Sequence, residues 1–138
     1  MADLAPTAAN VLAEDGAVSK GEHVAGATIA AGDWLYMDTA NDNVMKLAQA
    51  DGTALEATVY GVALNSAAVG QPVLVARSGD LDYGCVLTVG EIYILSATAG
   101  KICPSADLAS SSYCSIVGVG TVADNLKLNI FNSGAEKP

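Results

Sequence analysis

Alternation of apolar and polar positions with a period of two dominates the middle of the chain. Trp34-Leu35-Tyr36-Met37, Val73-Leu74-Val75-Ala76-Arg77 and Ile92-Tyr93-Ile94-Leu95 all carry it. The cleanest run is Leu126-Lys127-Leu128-Asn129-Ile130-Phe131-Asn132, with Leu126, Leu128 and Ile130 on one face. This spacing predicts half-buried strands. Between the runs lie Asn41-Asp42-Asn43, Asp51-Gly52, Ser78-Gly79 and Ser133-Gly134, residue types that favour turns. Helical periodicity is nearly absent. Thr53-Ala54-Leu55-Glu56 has the form of a capping box, but β-branched Val59 and Gly61 follow at once, so a single turn is expected.

The pattern occurs twice. Ala31-Gly32-Asp33-Trp34-Leu35-Tyr36-Met37 matches Val89-Gly90-Glu91-Ile92-Tyr93-Ile94-Leu95, and the strand Val44-Met45-Lys46-Leu47 matches Lys101-Ile102-Cys103. Tyr60-Gly61-Val62-Ala63 then matches Val117-Gly118-Val119-Gly120, and the segment ending Arg77-Ser78-Gly79 matches the one ending Asn132-Ser133-Gly134. Four matches in one order predict two similar units, about 27–79 and 85–134, inside a single β domain spanning 27–134. The expected fold is all-β, a compact barrel or sandwich from two similar units of about four short strands, with little helix. Met1 to about Gly26 shows no sustained period and reads as an extended N-terminal arm, poorly ordered unless a neighbour binds it. The end from Ser133 reads as loose, with 135–138 as a tail.

Composition narrows the function. The 138 residues suit one domain with a real core, and aromatics make up only 5%. The formal charge of −9 comes from 15 acidic and 6 basic residues, and Lys20, Lys46, Arg77, Lys101, Lys127 and Lys137 are scattered. Phosphate backbones call for clustered cations, so neither nucleic acid nor an anionic membrane is an expected partner. No run approaches the roughly 18 apolar residues of a membrane helix, and the N-terminus does not read as a signal peptide. Cys85, Cys103 and Cys114 match no zinc or redox spacing and read as small buried thiols, with a Cys103–Cys114 bridge left open.

No catalytic constellation emerges, and no cofactor or metal is expected. His23 is the only histidine, has no partner histidine or cysteine nearby in sequence, and reads as a solvated side chain. Asp33 and Glu91 stand at equivalent places after Gly32 and Gly90. They are better read as turn carboxylates accepting backbone N–H groups than as an acid–base pair. Asp38-Thr39-Ala40-Asn41-Asp42-Asn43 is oxygen-rich but lacks the EF-hand spacing, so a polar hairpin loop is preferred over a Ca²⁺ site. Gly118-x-Gly120 opens no helix and reads as close backbone approach in a strand. Trp34, Tyr36, Tyr60 and Tyr83 are the candidate core or interface anchors, because aromatics dominate interface hot spots.

The stretch Val59-Tyr60-Gly61-Val62-Ala63-Leu64-Asn65-Ser66-Ala67-Ala68-Val69-Gly70-Gln71-Pro72-Val73-Leu74-Val75, with Ala30-Ala31-Gly32-Asp33 upstream, resembles a phrase of capsid decoration (cement or head-stabilisation) proteins of tailed bacteriophages and related head-fibre modules. The resemblance spans about Ala27 to Gly134. It implies a β-rich structural protein, often trimeric, on the outer surface of an icosahedral head. The implied partner is the major capsid protein, the implied job is to clamp its neighbouring subunits, and assembly takes place in the host cytoplasm. The alternative is a fibre or receptor-binding module whose loops Asp38–Asn43 and Leu108–Ser112 contact a host glycan.

Overall fold

The structure, a computed structural model, describes residues 3–6, 11–13, 19–122 and 125–138. The chain is all-β, and its described residues form a curled antiparallel sheet of ten strands. In chain order these are β1 (Leu12–Ala13), β2 (Ser19–Val24), β3 (Trp34–Asp38), β4 (Val44–Leu47), β5 (Gly61–Ala63), β6 (Pro72–Asp82), β7 (Ile92–Leu95), β8 (Ile102–Pro104), β9 (Tyr113–Val122) and β10 (Asn125–Glu136). A 3-10 turn at Ser105–Asp107 is the only helical element among the described residues. At Thr53 the capping box forms reciprocally. The Thr53 N–H donates to Glu56 Oε1 and the Glu56 N–H to Thr53 Oγ1, over one turn only.

The main path through the sheet runs β4-β3-β5-β6-β10-β9-β7-β8, so the strands of the two sequence units follow mirrored orders about the β6–β10 contact. Equivalent positions carry equivalent bonds. The Gly32 N–H donates to Ala63 C=O and the Ala63 N–H to Asp33 C=O, while Gly90 donates to Gly120 and Gly120 to Glu91. Both acids close a tight turn onto the residue three before, Asp33 to Ala30 and Glu91 to Thr88, each at 3.1 Å. Gly32 and Gly90 hold φ of +94° and +83° at the third turn position, which a Cβ would disfavour.

Two apolar clusters stabilise the sheet. The larger holds Trp34, Tyr36, Val62, Ala76, Leu81, Tyr83, Tyr93, Leu95, Ile102 and Leu126. The smaller lies on the other face of β3, β5 and β6, where Leu35, Met45, Ala63, Val73 and Val75 meet Ala25 and Ile29. β3 is therefore buried on both faces and not on one, because Ala25 and Ile29 cover the side that alternation alone would leave wet.

The two chain ends depart from expectation. Within the stretch read as an arm, β2 pairs with Pro72–Ser78 of β6 and β1 with Leu81–Asp82, so these segments are strands of the chain's own sheet. An eleven-residue strand presents a long row of backbone donors and acceptors, and β2 and β1 occupy that edge. Residues 1–2, 7–10 and 14–18 of the arm lie outside the described residues. The tail is not loose either. β10 runs to Glu136, the Lys137 N–H donates to Ser112 C=O, and Lys137 Nζ donates to Leu108 C=O at 2.8 Å.

Candidate functional site

β6 is flanked differently along its length. Val75 and Ala76 pair with β5 on one side and β2 on the other; Ser78 pairs with β2 and β10; Leu81 and Asp82 pair with β10 and β1. Because a residue has one neighbour per edge, β5 and β10 take successive stretches of the same edge. The sheet forks between them, and Arg77 stands at the fork.

Across the opening the ladder is replaced by a side chain. Asn132 of β10 accepts the Val59 N–H at 2.9 Å and donates Nδ2 to Val59 C=O at 3.1 Å, the two bonds a paired strand would have made. Arg77 donates Nε to Tyr60 C=O at 3.0 Å, and its guanidinium lies 4.0 Å from the Tyr60 ring centroid. His23 meets the same ring edge-on, with centroids 5.0 Å apart. The fork holds a cavity of about 220 Å³ lined by Met37, Leu55, Thr58, Val59, Tyr60, Arg77 and Asn132, with Thr39 at the rim.

The alternation explains this placement. Val73, Val75 and Arg77 point to one face of β6, so two valines enter the smaller cluster and the guanidinium emerges at its margin. Arg77 is the only arginine of the chain and has no carboxylate partner among the described residues. Asp38, beside Thr39, is held by Lys46 Nζ at 2.8 Å and by Asn41. Glu56, beside Leu55, is spent on Thr53.

The anchors chosen from sequence separate into two groups. Trp34 and Tyr83 are 0% exposed and present nothing to a partner. Trp34 Nε1 donates to Tyr83 Oη at 2.9 Å and that hydroxyl donates to Gly32 C=O at 3.0 Å, making them a satisfied core pair and not interface residues. Tyr36 is buried with them, again because its face of β3 meets the larger cluster. Tyr60 alone is half-buried at a cavity. Sequence reasoning missed Arg77, Asn132, Met37 and Leu55 as a group. One signal was available: aligning the two units puts Arg77 and Asn132 at the same position, before Ser-Gly.

The other candidates are structural. Asp33 Oδ2 accepts the Ala30 N–H at 2.9 Å, and burial raises its carboxyl above the ordinary value although that bond and Lys101 pull it down. In the loop after β3, Asp38 accepts the Ala40 N–H and the Asn41 amide, while Asp42 and Asn43 take left-handed backbone. Its carboxylate oxygens are thus committed within the hairpin. Cys85, Cys103 and Cys114 are free thiols; Cys103 is buried, and burial pushes its thiol up to about 11. Gly118 and Gly120 sit where a Cβ would meet Lys127 O at 2.3 Å and Thr88 O at 2.4 Å, the close approach their spacing implies. Among the described residues no three His, Cys, Asp or Glu side chains gather where one metal ion would reach them. A second cavity, about 230 Å³, lies between Thr28–Ile29 and Ser66–Gln71 and has no ionisable lining. No protein-family model matches the chain, and no curated protein matches its sequence.

Proposed function

We propose that the chain is a structural virion protein that decorates the outer surface of an icosahedral bacteriophage head. There it binds the major capsid protein as a homo-oligomer, a trimer in the family it resembles, and stabilises contacts between capsid subunits. The observation that carries this reading is the kind of surface the fold exposes. Val86, Val89 and Ile92 are 80%, 64% and 43% exposed within seven residues, on a chain of net charge −9. Large apolar side chains held out on turns and strand ends are contact chemistry for another protein and serve no bond-making step. The residues of the resemblance fit the same picture. They form β5 and β6 and the turn between them, which holds Val69 67% exposed. Repetition over many equivalent lattice sites would let a modest contact stiffen a shell.

Immunogold electron microscopy of particles from the source lysate, with antibody to this chain, tests the reading. Gold over the heads is expected. Gold confined to tails or fibre tips would transfer the chain to host recognition, and unlabelled particles would remove it from the virion.

A further inference from the structure

We propose that the fork between β5 and β10 seats one anchor of a protein partner: an apolar side chain in the cavity, with a carboxylate beside it paired to Arg77. The inference rests on the reading of the chain as a docking protein and names the chemistry of one contact.

Size comes first. Small-molecule sites occupy about 300–1,000 Å³. The fork, at about 220 Å³, suits a single side chain. Its chemistry is split in the way an anchor needs. Met37, Leu55 and Val59 give it an apolar wall, while Arg77 and Thr39 form a polar rim. Hot spots are built in this manner, from a pocket and a neighbouring charge.

Arg77 is prepared for a carboxylate. Its Nε is already bonded to Tyr60 C=O and its guanidinium sits over the Tyr60 ring, so the side chain surrenders little further freedom on binding. The residue is exposed, and guanidinium donors match a carboxylate in a two-point geometry. The carboxylates next in sequence to the lining, Asp38 and Glu56, are bonded elsewhere. Asn132, bonded through both amide atoms to Val59, spans the fork and fixes the position of the Val59 wall.

Charge selects the source of the anchor. The reading on which this rests sets a different protein, the capsid subunit, against this chain, and Arg77, an exposed cation with no carboxylate partner among the described residues, calls for an acidic residue from it. The occupant is therefore a segment of another protein in which a leucine-like side chain adjoins a carboxylate.

N-acetyl-leucine carries both elements, and N-acetyl-leucine amide carries only the first. Each is titrated into the ¹⁵N-labelled full chain, with amide shifts recorded by NMR. The expected result is saturable shifts at 58–61, Arg77 and Asn132 for the acid, with about tenfold weaker binding for the amide, as loss of a charge-assisted bond implies. Arg77→Gln is expected to abolish the difference between the two probes. Arg77→Lys is expected to restore some of it, and Lys127→Gln to leave it intact, each variant giving a dispersed spectrum. Equal binding of acid and amide, or shifts confined elsewhere, overturns the proposal. So does concentration-dependent self-association in sedimentation that Arg77→Gln removes, since the occupant is then a second copy. None of these outcomes depends on where gold falls on a virion, so the two readings fail separately.

Discussion

Asn132 and Val59, 73 residues apart, are joined by two hydrogen bonds that run from a side-chain amide to both polar groups of one backbone residue. The amide stands in for a strand. Asn132→Ala leaves the partly buried Val59 N–H and C=O to find water, at a cost of about 1–3 kcal/mol. Asn132→Asp keeps the acceptor but turns an oxygen toward Val59 C=O, so it rescues only some of that loss. Urea denaturation followed by circular dichroism measures both. An Asn132→Ala protein as stable as the parent would mean that the fork does not depend on this bridge.

The Trp34–Tyr83–Gly32 chain of donors predicts a penalty out of proportion to one oxygen atom. Tyr83→Phe preserves the ring but strands the Trp34 N–H and the Gly32 C=O in the core. Each orphaned group costs about 1–3 kcal/mol, so Tyr83→Phe is expected to destabilise more than removal of a single exposed hydroxyl. Trp34 is the only tryptophan, and its emission reports the same change directly. Thermal unfolding within experimental error of the parent would contradict the arrangement.

Asp33 and Asp38 bracket β3 and should tilt the pH profile in opposite directions. The bonds from Lys46 and then Asn41 hold the Asp38 carboxyl below its ordinary 3.8, so its contribution is present above that value and is lost as the pH falls through the lowered one. Burial raises the Asp33 carboxyl above 3.8, so folding gains as the pH falls from neutral through its raised value. Asp38→Asn is expected to flatten the acid loss. Asp33→Asn, which still accepts the Ala30 N–H, is expected to flatten the opposing gain. Urea midpoints between about pH 3 and pH 7 separate the two, and slopes of the same sign would refute the assignment.

Glycines at equivalent strand positions should prove far less replaceable than one at a turn tip. A Cβ at Gly61 would lie 2.4 Å from Ala76 O, and one at Gly118 would lie 2.3 Å from Lys127 O. Both contacts are with backbone, so alanine must push neighbouring strands apart, with a cost of about 1–3 kcal/mol or more. Gly70 has nothing within 4 Å, and alanine there meets only the left-handed φ of +86°, about 1–2 kcal/mol. Melting temperatures of the three variants rank them. Gly70→Ala as the most damaging would be inconsistent with these contacts.

The local features were legible because they are written in adjacent residues. Alternation placed β3, β6, β7 and β10, and Thr53 with Glu56 announced its own turn. The features that escaped depend on distant partners. Ser19-Lys20-Gly21-Glu22-His23-Val24 carries almost no apolar signal, since an edge strand is held mainly by backbone bonds, here to Pro72–Ser78. Ser133–Glu136 is polar and exposed for the same reason, although β9 pairs with it. The candidate site was hidden further still. Arg77 looks like one of six scattered cations until the register shows two strands leaving β6 on either side of it.

The first residues also bear on how the chain is made. Leu4 donates its N–H to Ile102 C=O at one end of the sheet, and Ala25 bridges Met45 at the other. Leu4, β1, β2 and Ala25 therefore leave the ribosome before the partners they bond, which lie at residues 102, 81–82, 72–78 and 45. Closure of so many long loops makes folding slow. Until synthesis has passed β8, Leu4 has no partner and, among the described residues, the long edge of β6 is the only template for β1 and β2, and crowding by nascent copies is most hazardous in that interval.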